Sequence, residues 1–353
     1  ANQEGYVVAL IQAAGTIVNM VVSIFLIYIG AGVLFVKAVA TGVYMLRLVL
    51  VKIYAKRKYP ALDFHAEPNE GALKQKNAAL LHQGVGIIVN NTDTTVLTIC
   101  LGAKSLLEVS VYGIYMMVVN AVNQLMTSFS NGLTAGFGEV IAKNEEETLK
   151  KSYSSYEYMY FVIMFIVIAC MGVLILPFVG VYTINLTDVQ YVRPVLGILF
   201  TVIVFMQNVR IPGLTIICAA GHYKETRYQA ILEAVINITV SLGLVWKFGM
   251  AGVLLGTVCS YGYRSFEIVF YTSRHLVKGC AKKSMFRIFR NVLVVALLCI
   301  VGTYVIPKNM ASFITWFLYA IGMVAVSVFT IVGVNYVVEP DEFKELVLRV
   351  KGI

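Results

Sequence analysis

The chain has 353 residues, of which 59% are hydrophobic and only 13% charged, and its mean hydropathy is +0.80. Soluble domains carry about 25% charged residues, so a soluble globular domain is excluded and a polytopic membrane protein is expected. The net charge of +9 needs no nucleic acid to explain it, because membrane proteins collect Lys and Arg in cytoplasmic loops; the implied partners are membrane lipids with anionic headgroups.

A hydrocarbon core about 30 Å thick takes about 20 apolar residues to cross. In chain order such stretches are expected at 6–29, 32–51, 78–101, 107–140, 155–182, 193–218, 227–247, 250–273, 288–307 and 311–338, an all-α fold of about ten transmembrane helices. One set of alternate loops holds 20 basic residues, from Lys52, Lys56, Arg57 and Lys58 to Lys278, Lys282, Lys283, Arg287, Arg290 and the C-terminal Lys344, Arg349 and Lys351. The opposite set offers Lys104, Arg193, Lys247 and Lys308, while Lys37, Arg47, Arg210 and Arg264 fall inside spans. Both ends are therefore expected on the cytoplasmic side. The chain opens Ala-Asn-Gln-Glu-Gly a few residues before a span, and an N-terminally incomplete sequence is expected.

The segment 52–76, with Pro60 and Pro68, reads as a boundary between bundles, and the basic segment 278–290 sets the last two spans apart. The loops on the far side are only a few residues long, which speaks against an enzyme acting there. No G-x-x-x-x-G-K-[ST] loop and no H-E-x-x-H occurs, and His65, His82, His222 and His275 are scattered. ATP is excluded as a direct energy source; no catalytic residue, metal site or cofactor is expected. The six cysteines show no C-x-x-C spacing and read as small apolar side chains.

Polar stripes run inside the spans. Gln83, Gly86, Asn90 and Asp93 share one helix face, as do Asn120, Asn123, Thr127 and Asn131, with Gln124 and Ser128 alongside; Gln229, Glu233, Asn237 and Ser241 follow at steps of four. These stripes either line one cavity or bond helix to helix. Asp93 carries the strongest signal, since a charge at bilayer depth costs about 2.5–3.5 kcal/mol and faces protein or water. Glu233, Arg264 and Arg210 fall at similar depths, about 13–15 Å from the cytoplasmic ends at 1.5 Å per residue. A Glu233–Arg264 ion pair is expected, with Glu267 competing for the arginine. Alternatively, the two arginines present cationic donors to an anionic substrate while Asp93 or Glu233 binds a coupling H⁺ or Na⁺. Pro212 is expected to kink its helix beside Arg210, Gly252, Gly256 and Ser260 to permit close helix contact, and Tyr153, Tyr156, Tyr158 and Tyr160 to form an interfacial belt.

The run from Asn91-Thr-Asp-Thr-Thr-Val-Leu through Val109-Ser-Val-Tyr-Gly-Ile-Tyr, then Gly132-Leu-Thr-Ala-Gly-Phe-Gly-Glu, Pro177-Phe-Val-Gly-Val-Tyr and Ala219-Ala-Gly-His-Tyr-Lys-Glu-Thr-Arg to Glu233 and Asn237 resembles the Wzx-type polysaccharide and O-antigen flippases. These belong to the multidrug, oligosaccharidyl-lipid and polysaccharide (MATE-like) transporter superfamily. The resemblance implies residues 1–55 as the last two helices of an incomplete N-terminal lobe, 56–76 as the inter-lobe linker, 77–275 as a six-helix C-terminal lobe, and 276–353 as an extra helix pair with a tail. It implies a flippase, not an enzyme, that carries an undecaprenyl-diphosphate-linked oligosaccharide across the bacterial inner membrane by alternating access, beside other polysaccharide-assembly membrane proteins. A multidrug or cation antiporter of the same superfamily is the alternative, favoured if Arg210 and Arg264 are neutralised; a membrane glycan polymerase or ligase is a further one.

Overall fold

A computed structural model describes residues 5–58, 76–102, 105–130, 133–307, 310 and 312–350. Its helices are α1 (Gly5–Tyr28), α2 (Val33–Lys58), α3 (Lys76–Cys100), α4 (Ser105–Ser130), α5 (Leu133–Ala142), α6 (Glu146–Tyr182), α7 (Pro194–Val209), α8 (Ile211–Ala219), α9 (Arg227–Phe248), α10 (Met250–His275), α11 (Cys280–Val305), α12 (Phe313–Val338) and α13 (Pro340–Val350), and the described residues contain no strand. Among the described residues eight stretches are long and apolar enough to cross a membrane, which makes this a multi-pass membrane protein.

Ten such stretches were expected. The other two, 78–101 and 250–273, form α3 and α10 at full spanning length, but α3 carries the polar run Asn90 to Thr95 and α10 carries Arg264 and Glu267, which dilute the apolar signal. Of the expected linker, residues 59–75 with Pro60, His65 and Pro68 lie outside the described residues. The expected span 193–218 is divided into α7 and α8, while within 107–140 α4 and α5 stand on either side of residues 131–132, which lie outside the described residues. Arg210 is the joint between α7 and α8, and Pro212 stands in the first turn of α8, where its missing N–H would have had no intrahelical acceptor.

Residues 1–73 and 74–353 form two compact units. In the first, α1 and α2 pack as a hairpin through a turn at Gly30, whose φ of +78° suits glycine. Arg47, inside an apolar helix, donates to Thr16 Oγ1 at 2.9 Å and lies 4.5 Å over the Tyr44 ring.

In the second unit α6 is the central helix, packed against α12, α11 and α7, with Tyr160, Phe161, Met164, Phe165 and Ala169 buried. α10 plays the same part for α9, α7 and α3. Helices α9 and α10 turn back on each other at Gly249, whose φ is +56°, and approach through glycine. A Cβ on Gly256 would strike Ser241 Oγ and stand 2.7 Å from the Ser241 nitrogen and 3.0 Å from the Asn237 carbonyl; one on Gly252 would strike the Leu244 carbonyl. Glycine there lets backbone meet backbone, as membrane helices require where no hydrophobic force joins them.

Two expectations are corrected. Tyr153, Tyr156, Tyr158 and Tyr160 are buried rather than interfacial, because α6 starts at Glu146, well before 155, and carries them between its neighbours. Tyr160 donates to Asn208 at 3.0 Å and Tyr156 to Ser130 at 3.1 Å. The basic residues Lys282, Lys283 and Arg287, expected in a loop ahead of a span at 288–307, lie in a helix instead: α11 begins at Cys280, and Arg287 is 1% exposed.

Gly256→Ala should lower the thermal unfolding midpoint of the purified protein, by the equivalent of about 1–3 kcal/mol for overpacking. Gly262→Ala, on the same helix with nothing within 4 Å of its Cβ, should be neutral or stabilising by about 0.5–1 kcal/mol.

Candidate functional site

Helices α3, α4, α7 and α10 enclose a cleft of about 610 Å³. Asn90 and Asp93 reach it from one face of α3, Asn120 and Asn123 from α4, Gln207 from α7, and Thr257 and Tyr261, four residues apart, from α10. Asp93 is 4% exposed. Tyr112 donates to its Oδ2 at 3.3 Å, and Thr257 Oγ1 lies 2.8 and 3.0 Å from its two oxygens. Among the described residues no Lys or Arg forms an ion pair with it. Hydroxyls soften the loss of water without supplying a counter-charge, so an ionised Asp93 stands at a cost of several kcal/mol.

Asn237 extends this oxygen cluster from behind. Its Nδ2 donates to Thr257 Oγ1 at 3.0 Å, so Thr257 gives its one proton to Asp93 and accepts through a lone pair. Asn237 is fully buried, yet its Oδ1 has no partner. Carboxylate, hydroxyl and amide oxygens are the ligands hard cations take, and a carboxylate alone can take a proton. Among the described residues no group of three or more His, Cys, Asp or Glu is placed to hold a metal ion.

Beside the cleft runs a chain of four charges. Arg210 donates to Glu233 Oε1 at 2.5 Å, Glu233 Oε2 stands 3.6 Å from Arg264 Nε, and Arg264 pairs closely with Glu267. The three residues expected at one depth therefore meet, but Arg210 holds Glu233 more closely than Arg264 does, and Glu267, one turn away on α10, holds Arg264. All four side chains are at most 15% exposed. Two cations and two anions leave the chain neutral, the condition under which buried charge is tolerated. Arg210 also lies 4.5 Å over the ring of Tyr261, whose hydroxyl donates to Asn90 at 3.1 Å.

Of the candidates, Asn90, Asp93, Asn120 and Asn123 line the cleft; Arg210, Glu233, Asn237 and Arg264 stand behind it. Asn123 bonds to Gln207 and Asn208, each at 2.9 Å. Thr127 bonds to the Asn123 carbonyl of its own helix, and Asn131 lies outside the described residues. The stripe Glu233, Asn237, Ser241 faces α10, where Ser241 donates to the Val253 carbonyl at 3.1 Å. Sequence reasoning missed Tyr112, Thr257 and Tyr261; the four-residue spacing of the last two, in register with the Gly252–Gly256 stripe, was the available signal.

It also missed a second buried cluster, where α6 and α11 begin. Arg287 donates to Glu157 and to Glu339, each at 3.0 Å, and to the Ser154 carbonyl at 3.1 Å. Arg290 bonds Glu339 at 3.0 Å, and Glu342 of α13 accepts from Lys283 and, at 3.0 Å, from Ser154. Burial pushes the Glu342 carboxyl up, but Lys283, Arg287 and Ser154 outweigh it and hold it below the usual carboxylate range.

Neither a protein-family model nor a curated protein matches the chain.

Glu233→Gln should destabilise the purified protein by about 3–5 kcal/mol, because it leaves the buried Arg210 without a counter-charge. Arg210→Met combined with Glu233→Gln should recover much of that loss, read as a positive coupling in a double-mutant melting cycle. At the other cluster, a carboxyl with a lowered folded pKa stabilises above its unfolded value and loses that contribution as pH falls through the folded one. Limited proteolysis should therefore find α13 docked at about pH 4.3, where free glutamate is half protonated, and released only at lower pH. Glu342→Gln should expose it at neutral pH.

Proposed function

We propose that this multi-pass chain is a Wzx-type flippase, which moves an undecaprenyl-diphosphate-linked oligosaccharide between the leaflets of a bacterial inner membrane by alternating access, with H⁺ or Na⁺ at Asp93 as the coupling ion. The observation that carries the reading is a polar cleft along apolar helices that holds a buried carboxylate with no cationic partner among the described residues. A glycan headgroup cannot cross hydrocarbon unless each polar group it strips of water finds a substitute. Asn90, Asn120, Gln207 and Tyr261 supply such substitutes, and Gln124, Thr127 and Ser128 carry the exposed polar face further along α4. Polar side chains at that depth belong against water, substrate or protein, not lipid tails. The chemistry is carriage, with no bond made or broken.

The neutral chain of Arg210, Glu233, Arg264 and Glu267 favours a second reading, a multidrug or cation antiporter of the same superfamily. In this conformation neither arginine lines the cleft, so an anionic diphosphate meets amide and hydroxyl donors there rather than free cations. Asp93 would then hold the cation in exchange for a cationic substrate.

The test is surface-glycan display in cells that lack their own flippase, expressing wild type, Asp93→Asn and Arg264→Ala at matched membrane levels. Wild type should restore the glycan and Asp93→Asn should abolish it, while Arg264→Ala, which strips Glu267 of its cation and leaves Glu233 to Arg210 alone, should weaken it. A wild type that restores no glycan of several types yet lowers drug accumulation replaces the flippase with the antiporter.

A further inference from the structure

Two rungs join α3 to α10, and only one of them touches the ion site. Thr257 meets Asp93, and one turn away Tyr261 meets Asn90. Asn90 and Asp93 share a face of α3, and Thr257 and Tyr261 share a face of α10, so whatever alters the spacing at the first rung acts on the second. Tyr261 has a further contact that Thr257 lacks. Its ring carries the guanidinium of Arg210 at 4.5 Å, and Arg210 is the single residue between α7 and α8.

We propose that Tyr261 is the positioning residue through which the cleft governs the α7–α8 break. Its hydroxyl reads the α3 wall at Asn90 and its ring sets the place of Arg210. This rests on the reading of Asp93 as a cation site. A cation that coordinates Asp93 and the Thr257 oxygen competes with the proton Thr257 now gives the carboxylate, so the first rung changes from a hydroxyl bond to a shared ligand. Tyr261 is 4% exposed and packed in place, so its ring follows α10 rather than swinging free. Arg210 is suited to respond: its Nε is buried with no partner, and one carboxylate, Glu233, holds its Nη1. A donor left unanswered marks an arrangement that is not the best the side chain could find, and a joint between two helices is where a small displacement becomes a change of angle.

The experiment uses the whole chain in nanodiscs, with Cys218 of α8 as the reporter and the other cysteines replaced by alanine. Cys218 is partly buried, so its alkylation rate follows the packing of α8. Thermal unfolding in NaCl against choline chloride, at two pH values, reads ion binding; alkylation under the same conditions reads the break. In wild type the ion should shift the melt and change the alkylation rate by about fivefold or more, the lower range of allosteric coupling. Tyr261→Leu should keep the ion-dependent melt shift and lose the alkylation response. Tyr261→Phe, which keeps the ring and loses only the bond to Asn90, should give a reduced response, matched by Asn90→Ala; it carries the test if the leucine variant does not assemble.

Variants that bind the ion and respond at Cys218 like wild type overturn the relay and leave the ion site standing. Variants that lose melt shift and alkylation response together also overturn it, because Tyr261 is then only part of the site's packing. A wild type whose melt is indifferent to Na⁺ and to pH removes the ion reading itself, and the relay with it.

Discussion

Inside a bilayer no solvent answers a stranded charge, so every buried ionic group must find its partner within the protein. That constraint organises the second unit. Arg210, Glu233, Arg264 and Glu267 answer one another in a line across the α7–α8 joint, α9 and α10. Arg287 is answered by Glu157 from α6 and Glu339 beyond α12, and Arg290 by the same Glu339. In the first unit Arg47 uses a hydroxyl and an aromatic face instead. Against this background Asp93 stands apart, a carboxylate as buried as the others whose bonds come from hydroxyls alone.

The position of Asp93 depends on how closely three helices approach. With Gly256 against Ser241 and the Asn237 backbone, α9 comes near enough to α10 for Asn237 to bond Thr257, and Thr257 then faces α3. A side chain at 256 would separate the helices and dissolve the oxygen cluster before it disturbed the cleft wall formed by α4. The close approach that stabilises the pair also sets the spacing of the oxygens around Asp93.

Hydropathy is a property of twenty-residue windows, and the apolar helices that depend on it were legible, as were the interruption near Pro212 from the chemistry of proline and the meeting of Arg210, Glu233 and Arg264 from residue counting along their helices. Direction around a helix axis was harder. Glu233, Asn237 and Ser241 keep strict spacing, but spacing tells that they share a face and not which neighbour the face meets; it meets α10. Helix starts were harder still. Lys283, Arg287 and Arg290 carry charge that reads as loop, and the acidic partners at 157, 339 and 342, distant in sequence, allow a helix to hold them. The same error at α6 placed four tyrosines at an interface when all four are buried, and the hydroxyls of Tyr156, Tyr160 and Tyr153 serve Ser130, Asn208 and Glu157 in the interior.

In the proposed cycle the uncompensated state of Asp93 is the useful property. An ion moves a conformational equilibrium only by the difference between its affinities for the two states, and going from 1:99 to 99:1 takes about 5.5 kcal/mol of that difference. A carboxylate already paired with arginine offers little, because an incoming cation must first displace a partner of equal charge. Asp93 has no such partner among the described residues, so a cation or proton there relieves a desolvation cost of several kcal/mol in whichever state buries the site. The four-charge chain behind it suits the opposite role. Neutral and internally paired, it can be carried through a change of helix angle without exposing charge to lipid. The division between one unanswered carboxylate that binds and a balanced set that moves follows from the same rule of satisfaction, applied once by exception and once in full.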